Sequence, residues 1–148
     1  EDLNSKSIKF DKNNVLDYIS NIYSAFELII DRDADYENID ALSMASDNVW
    51  CAGVILGNPI ENWKNIDFNT LKSTLYWNDE TPQEAIIKDA NPFDTLAWVI
   101  NLRLSLNLNI PKGSKIITGS VIKTRSPKKG DVVTYNVGNL SETKIRLI

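Results

Sequence analysis

Glu27 is the residue whose setting most invites a chemical reading. It stands in the middle of the apolar run Ala25-Phe26-Glu27-Leu28-Ile29-Ile30-Asp31-Arg32. As a strand, this run places Phe26, Leu28 and Ile30 on one face, the expected core face, and Ala25, Glu27, Ile29 and Asp31 on the other. Two readings of the second face stand open: a solvated side, or the lining of a cavity where carboxylates meet a cation or a substrate. The aspartates from Asp31 to Asp35 lack the glycine and closing glutamate of an EF-hand loop. Cys51, the only cysteine, lies in an apolar run and reads as an inert core thiol. Lys123, Arg125, Lys128 and Lys129 form a basic loop, either a solvated hairpin or a steering patch for an anion.

Composition narrows the chemistry. Histidine is absent, which removes histidine triads, histidine-bound zinc and the imidazole acid/base. Any metal site would be built from oxygen, favouring Mg²⁺, Mn²⁺ or Ca²⁺. A net charge of −4 argues against nucleic-acid binding, which needs a basic face. One cysteine precludes an internal disulfide and is compatible with a reducing compartment. No apolar run reaches the roughly 20 residues of a membrane helix, so no membrane partner is expected and a cytoplasmic location is. At 148 residues and 43% hydrophobic content the chain is expected to bury one core as a single domain, 1–148.

The elements that must position these residues follow from pattern. Asp11 is expected to cap a helix through Val15, Leu16, Ile19 and Ile22, and Glu37 to Ala45 a short one. Val49 to Leu56 reads as a central strand because it is apolar on both faces, and Gly57-Asn58-Pro59 stops it. Asn65 to Trp77 reads as an edge or outer strand, with a turn at Asn78-Asp79-Glu80. Asn91-Pro92-Phe93-Asp94 is a helix start with Asp94 as a capping-box acid, and Phe93, Leu96, Ala97, Ile100 and Leu104 form its apolar stripe. Strands are then expected at Lys115 to Thr118, Val132 to Val137 and Thr143 to Ile148. Strands outnumber helices without βαβ alternation, so the class is α+β with a mostly β core.

Several stretches, in order, resemble one family. Asn91 to Trp98, Lys112 to Ser120, Lys129 to Val133 and Gly138-Asn139-Leu140 are similar to the C-terminal part of the 2-keto-4-pentenoate hydratase and 4-oxalocrotonate decarboxylase family of the fumarylacetoacetate hydrolase superfamily. Ala25 to Leu28 with Arg32 and Asp35-Tyr36, and Ser46-Asp47-Asn48 through Gly57, resemble the preceding segments. The resemblance implies a mixed β-roll and a lyase that hydrates or decarboxylates a small 2-oxo or 2-hydroxydienoic acid. One Mg²⁺ or Mn²⁺ would sit on three carboxylates, a Glu-x-Glu pair and the glutamate matching Glu27, and act as a Lewis acid on the enolate. It also implies that Thr118, Gly119 and Ser120 abut the pocket and hold a substrate carboxylate, although they serve equally as an ordinary strand-ending turn.

The chain departs from that pattern. It contains no Glu-x-Glu, and Glu1 falls about where that strand ends in the family, so two further ligands are expected upstream. Trp50-Cys51 replaces a pair of serines, and Thr81 to Ala90 replaces a glycine-rich turn. The expectation is therefore the C-terminal portion of a hydratase-like protein, working as a homo-oligomer or beside a companion chain that carries the N-terminal region. The alternative is a noncatalytic subunit or assembly module with an eroded pocket.

Overall fold

The computed structural model describes Leu3 and residues 8–148. Six strands form two antiparallel sheets. β1 (Tyr23–Ile29) and β2 (Cys51–Pro59) make a two-stranded sheet, while β3 (Lys72–Trp77), β4 (Gln83–Ile86), β5 (Val132–Val137) and β6 (Ser141–Arg146) make the second, in the order β4-β3-β5-β6. Two α-helices accompany them, α1 (Ala41–Ser46) and α2 (Pro92–Ser105). The α+β class holds. All strand pairs among the described residues are antiparallel, where a mixed roll was expected.

α2 anchors one core. Pro92 opens it, and Ala97, Ile100 and Leu104 recur on the face buried against Phe10, Val15 and Ile110. Asn101 fixes the incoming chain, accepting from the Phe10 N–H at 2.9 Å and donating to its carbonyl at 2.8 Å. The expected capping box does not form: Asn91 is left-handed and makes no side-chain cap, and Thr95 Oγ1 instead donates to the Ala90 carbonyl at 3.3 Å. A second core gathers Ile60, Trp63, Phe68 and Val137 against the four-stranded sheet, with Phe68 edge-on to Phe93 at 5.4 Å.

The sheets meet through hydroxyls. Ser24 on β1 bonds Ser141 Oγ at 2.8 Å and Thr143 Oγ1 at 2.6 Å on β6, all three buried. Ser141 Oγ also donates to the Asn58 carbonyl on β2. Gly57 makes this approach possible, because a Cβ there would lie 2.1 Å from the Glu142 carbonyl oxygen. Phe26, two residues along the same face of β1, meets Tyr135 at 6.1 Å.

Five sequence expectations are corrected. The segment after Asp11 forms only the 3₁₀ turn Asn14–Tyr18, because the Asp11 carboxylate takes the N–H groups of Asn13 and Asn14 in a local turn. The second helix starts at Ala41, where Asp40 caps the Ser43 N–H at 2.7 Å. β3 is an inner strand rather than an edge, since β5, distant in sequence, pairs its second side. β2 pairs with β1 alone among the described residues and is nowhere fully buried, so its apolar run does not make it central. Residues 115–118 form no strand and lie mostly exposed.

Candidate functional site

Glu27 sits near the middle of β1, opposite Val54 of β2. Ser24 and Phe26 turn toward the four-stranded sheet, and Glu27 lies on the alternate face, exposed. The face expected to be core is covered only at its start: Phe26 is half-buried, but Leu28 and Ile30 are exposed. The face expected to unite Glu27 with Asp31 does not persist either. The register shifts between Leu28 and Ile29, the strand ends at Ile29, and Asp31 instead receives the Tyr36 hydroxyl.

Beyond the strand ends lies a cleft of about 90 Å³, lined by Ile30, Arg32, Asp47, Asn48, Trp50, Cys51 and Ala52. Arg32 and Asp47 form an ion pair of 3.4 Å at its wall. The backbone around it is unusual: Arg32, Asp33, Asn48, Val49 and Trp50 all have φ between 51° and 60°. Asparagine tolerates that region, whereas the β-branched Val49 does not adopt it without strain. Trp50 packs edge-on against Tyr36 at 5.7 Å. Trp50 and Cys51 thus form cleft wall where the resemblance supplies two small hydroxyls. Sequence reasoning singled out Arg32 and Asp47 only as matching residues and did not foresee their pairing; the turn chemistry of Ser46-Asp47-Asn48 was the one available signal.

Thr118, Gly119 and Ser120 lie in an irregular segment rather than at a strand end. Thr118 is half-buried, and Gly119 takes φ +100° with open space around its Cα. Ser120 Oγ donates to the Ile122 carbonyl at 2.5 Å and accepts from its N–H at 3.2 Å, a closed local turn. Among the described residues no hydrogen bond or ion pair joins them to Glu27. The basic loop is partly engaged: Arg125 makes a two-pronged bond to Glu80 at 2.8 and 2.9 Å and lies 4.2 Å from the Trp77 ring centre. That bond holds the Glu80 carboxyl below its ordinary pKa and the guanidinium above its own.

The metal fits this chain only in part. Among the described residues no group of three histidine, cysteine, aspartate or glutamate side chains could hold an ion. Glu27 supplies at most two of the six or more oxygens that Mg²⁺ or Ca²⁺ takes. Glu1, where the comparison with the Glu-x-Glu strand stops, lies outside the described residues.

With that geometry in view, known proteins give a consistent comparison. No family model matches the chain. It is 29% identical over 150 residues to the 2-oxo-hept-4-ene-1,7-dioate hydratase of Escherichia coli, a match covering 94% of this chain and 54% of the hydratase. The 4-oxalocrotonate decarboxylase of Pseudomonas putida is 25% identical over 141 residues, 88% of this chain and 53% of the enzyme. The chain is similar to these hydratases and decarboxylases. It spans about half the length of the curated relatives it matches. The solved 4-oxalocrotonate decarboxylase of Pseudomonas putida G7, complexed with magnesium and adipate, superposes with a TM-score of 0.82 at 23% identity, over 93% of this chain and 53% of that one. The same enzyme with calcium and acetate gives 0.79. The solved decarboxylase shares the fold of this chain over about half its length. No helix among the described residues is long and apolar enough to cross a membrane.

Proposed function

We propose that the chain is the C-terminal portion of a metal-dependent lyase of the hydratase/decarboxylase type, acting on a small 2-oxo or 2-hydroxydienoic acid, with the roll of the fumarylacetoacetate hydrolase superfamily. Glu27 is its contribution to a Mg²⁺ or Mn²⁺ site, and Thr118, Gly119 and Ser120 its contribution to binding the substrate carboxylate. The observation that carries this reading is the match to the Escherichia coli hydratase along 94% of the chain. Support also comes from β1, which presents Glu27 on an open face while Ser24 and Phe26 tie the opposite face to the second sheet. Glu27 alone is not a cation site, so no catalytic step follows from this chain's residues by themselves. The remaining carboxylates come from a region equivalent to the rest of the relatives, and the assembled protein works in the cytoplasm.

A second reading is favoured by the cleft beside Arg32. Trp50 and Cys51 occupy its wall, which suits a noncatalytic, hydratase-like module with an eroded pocket. One experiment separates the two. The intact source protein is titrated with Mg²⁺ and Mn²⁺ by calorimetry and assayed for turnover of 2-hydroxypenta-2,4-dienoate, alongside its Glu27→Gln variant. The lyase reading expects saturable metal binding and turnover, both lost in the variant. Absent turnover, with metal binding that ignores Glu27, establishes the module instead.

A further inference from the structure

Between Ile110 and β5 the chain forms neither helix nor strand. A connection longer than about 15 residues with no structure of its own is uncommon in a compact fold, and where it is ordered it ordinarily serves as a lid or a binding loop. Both ends of this one are pinned. Ile110 exchanges N–H and carbonyl bonds with Leu3 at 3.0 Å, and the Gly130 N–H donates to the Leu147 carbonyl at 2.9 Å. Between the pins Thr118, Val121, Ile122 and Arg125 are half-buried, so the segment lies against the fold while its remaining residues are exposed. Gly113 takes φ +82° and Gly119 φ +100°, each with no heavy atom within 4 Å of the place a Cβ would take. The backbone can turn at both without meeting a neighbour.

One side chain ties the middle of the segment to the sheet. Ser114 and Ser120 bond within their own turns, to Pro111 and Ile122. Among the described residues, the hydrogen bonds, ion pairs and ring contacts that leave residues 113–127 all belong to Arg125, which forks onto Glu80 and stacks over Trp77. Its seat is fixed beforehand. The Glu80 N–H donates to the Trp77 carbonyl at 3.0 Å, and the Trp77 indole N–H donates to the Asp131 carboxylate at 3.1 Å. A guanidinium that is both forked and stacked is held in one orientation, which a lysine would not be.

We propose that residues 113–127 are a strap with a single latch, which opens between its pinned ends when Arg125 leaves Glu80 and Trp77 and carries Thr118, Gly119 and Ser120 with it. The latch is made of partly exposed charges, so releasing it costs far less than unfolding the sheet beneath. A movable segment on a rigid frame is the arrangement by which loops admit a ligand and then enclose it. The strap and its latch stand independently of the lyase reading; only the use of Thr118, Gly119 and Ser120 on a substrate carboxylate rests on that reading.

The test is backbone ¹⁵N relaxation on the 148-residue chain and two variants, Arg125→Ala and Glu80→Ala. In the parent chain the amides of residues 118–126 are expected to be ordered, with order parameters of about 0.85. Arg125→Ala removes fork and stack together and should drop the same amides below about 0.6. Glu80→Ala removes the fork and leaves the stack, so a smaller fall in the same residues is expected. The amides of β5 and β6 serve as the folding control and should stay at about 0.85 in both variants. A strap already mobile in the parent chain shows that Arg125 does not hold it, and order parameters unchanged in either variant show that the half-buried Val121 and Ile122 hold it instead. Loosening that spreads into β5 and β6 makes Arg125 part of the sheet's own stability rather than a latch. Each of these three results overturns the proposal.

Discussion

α2 and the β1–β2 hairpin are built from similarly apolar sequence, yet one buries most of its stripe and the other leaves every apolar side chain at least partly exposed. Ala97, Ile100 and Leu104 meet Phe10, Val15 and Ile110 within the same chain. Cys51 through Leu56 has no such counterpart: β1 is its only strand partner among the described residues, and every one of its apolar side chains stays at least partly exposed. An apolar pattern states a need for cover; whether the cover lies in the same chain depends on residues far away or elsewhere. Glu27 stands in the uncovered region, where the comparisons supply relatives about twice as long.

Changes in the covered half should be costly and changes in residues 25–59, away from their contacts with β6, cheap. Ile100→Ala is expected to have the largest effect, about 3 kcal/mol by denaturant unfolding, from a cavity among Phe10, Val15 and Leu104. Gly57→Ala tests the joint between the halves, because the added methyl meets the Glu142 carbonyl and the Ser24 and Thr143 hydroxyls. About 2 kcal/mol is expected, with loss of the Ser24–Thr143 contact. A near-neutral Gly57→Ala would show that the sheets are not held at this spacing.

Acid titration gives a smaller effect. Asp131 accepts from the Asn78 amide at 2.8 Å, the Lys128 N–H at 2.9 Å and the Trp77 indole at 3.1 Å, which together hold its carboxyl below the ordinary carboxylate pKa, the Asn78 bond most of all. A depressed folded pKa means stability that is fully present above the unfolded value of about 3.9 and lost as pH falls through the folded value. Asp131→Asn should lower the melting temperature at neutral pH and flatten its decline below about pH 5. An unchanged acid limb would assign that limb to the other depressed carboxylates, such as Glu80 beside Arg125. The smallest effect is expected in α1, where Leu42→Ser should change stability by less than about 0.5 kcal/mol.

How much was legible in the sequence follows the same division. α2 was readable because Asn91-Pro92 and a five-residue stripe are local signals, and β5 because Gly130 and Gly138 bracket it. The inner position of β3 was not, since its pairing with β5 is non-local and leaves no mark on residues 72–77. β4 escaped notice because Gln83–Ile86 is short and half polar. The Ser24, Ser141 and Thr143 joint was hidden because small hydroxyl residues read as surface. For the site, the strand and alternate face of Glu27 were legible and so was the lack of a Glu-x-Glu partner. The loss of Asp31 from that face was not, because a shift of register and the end of β1 depend on pairing with β2. Nor could Val49 and Trp50 be expected at positive φ from their residue types.

Hydrogen exchange tests the contrast between the two regions most directly, read by mass spectrometry on the 148-residue chain at high salt. Amides of residues 94–105 and 132–146 are expected to exchange only through global unfolding, and those of residues 25–59 through far smaller openings, at least about 100-fold faster. Equal protection of both regions would contradict the account, because residues 25–59 would then be a fully covered part of one cooperative fold.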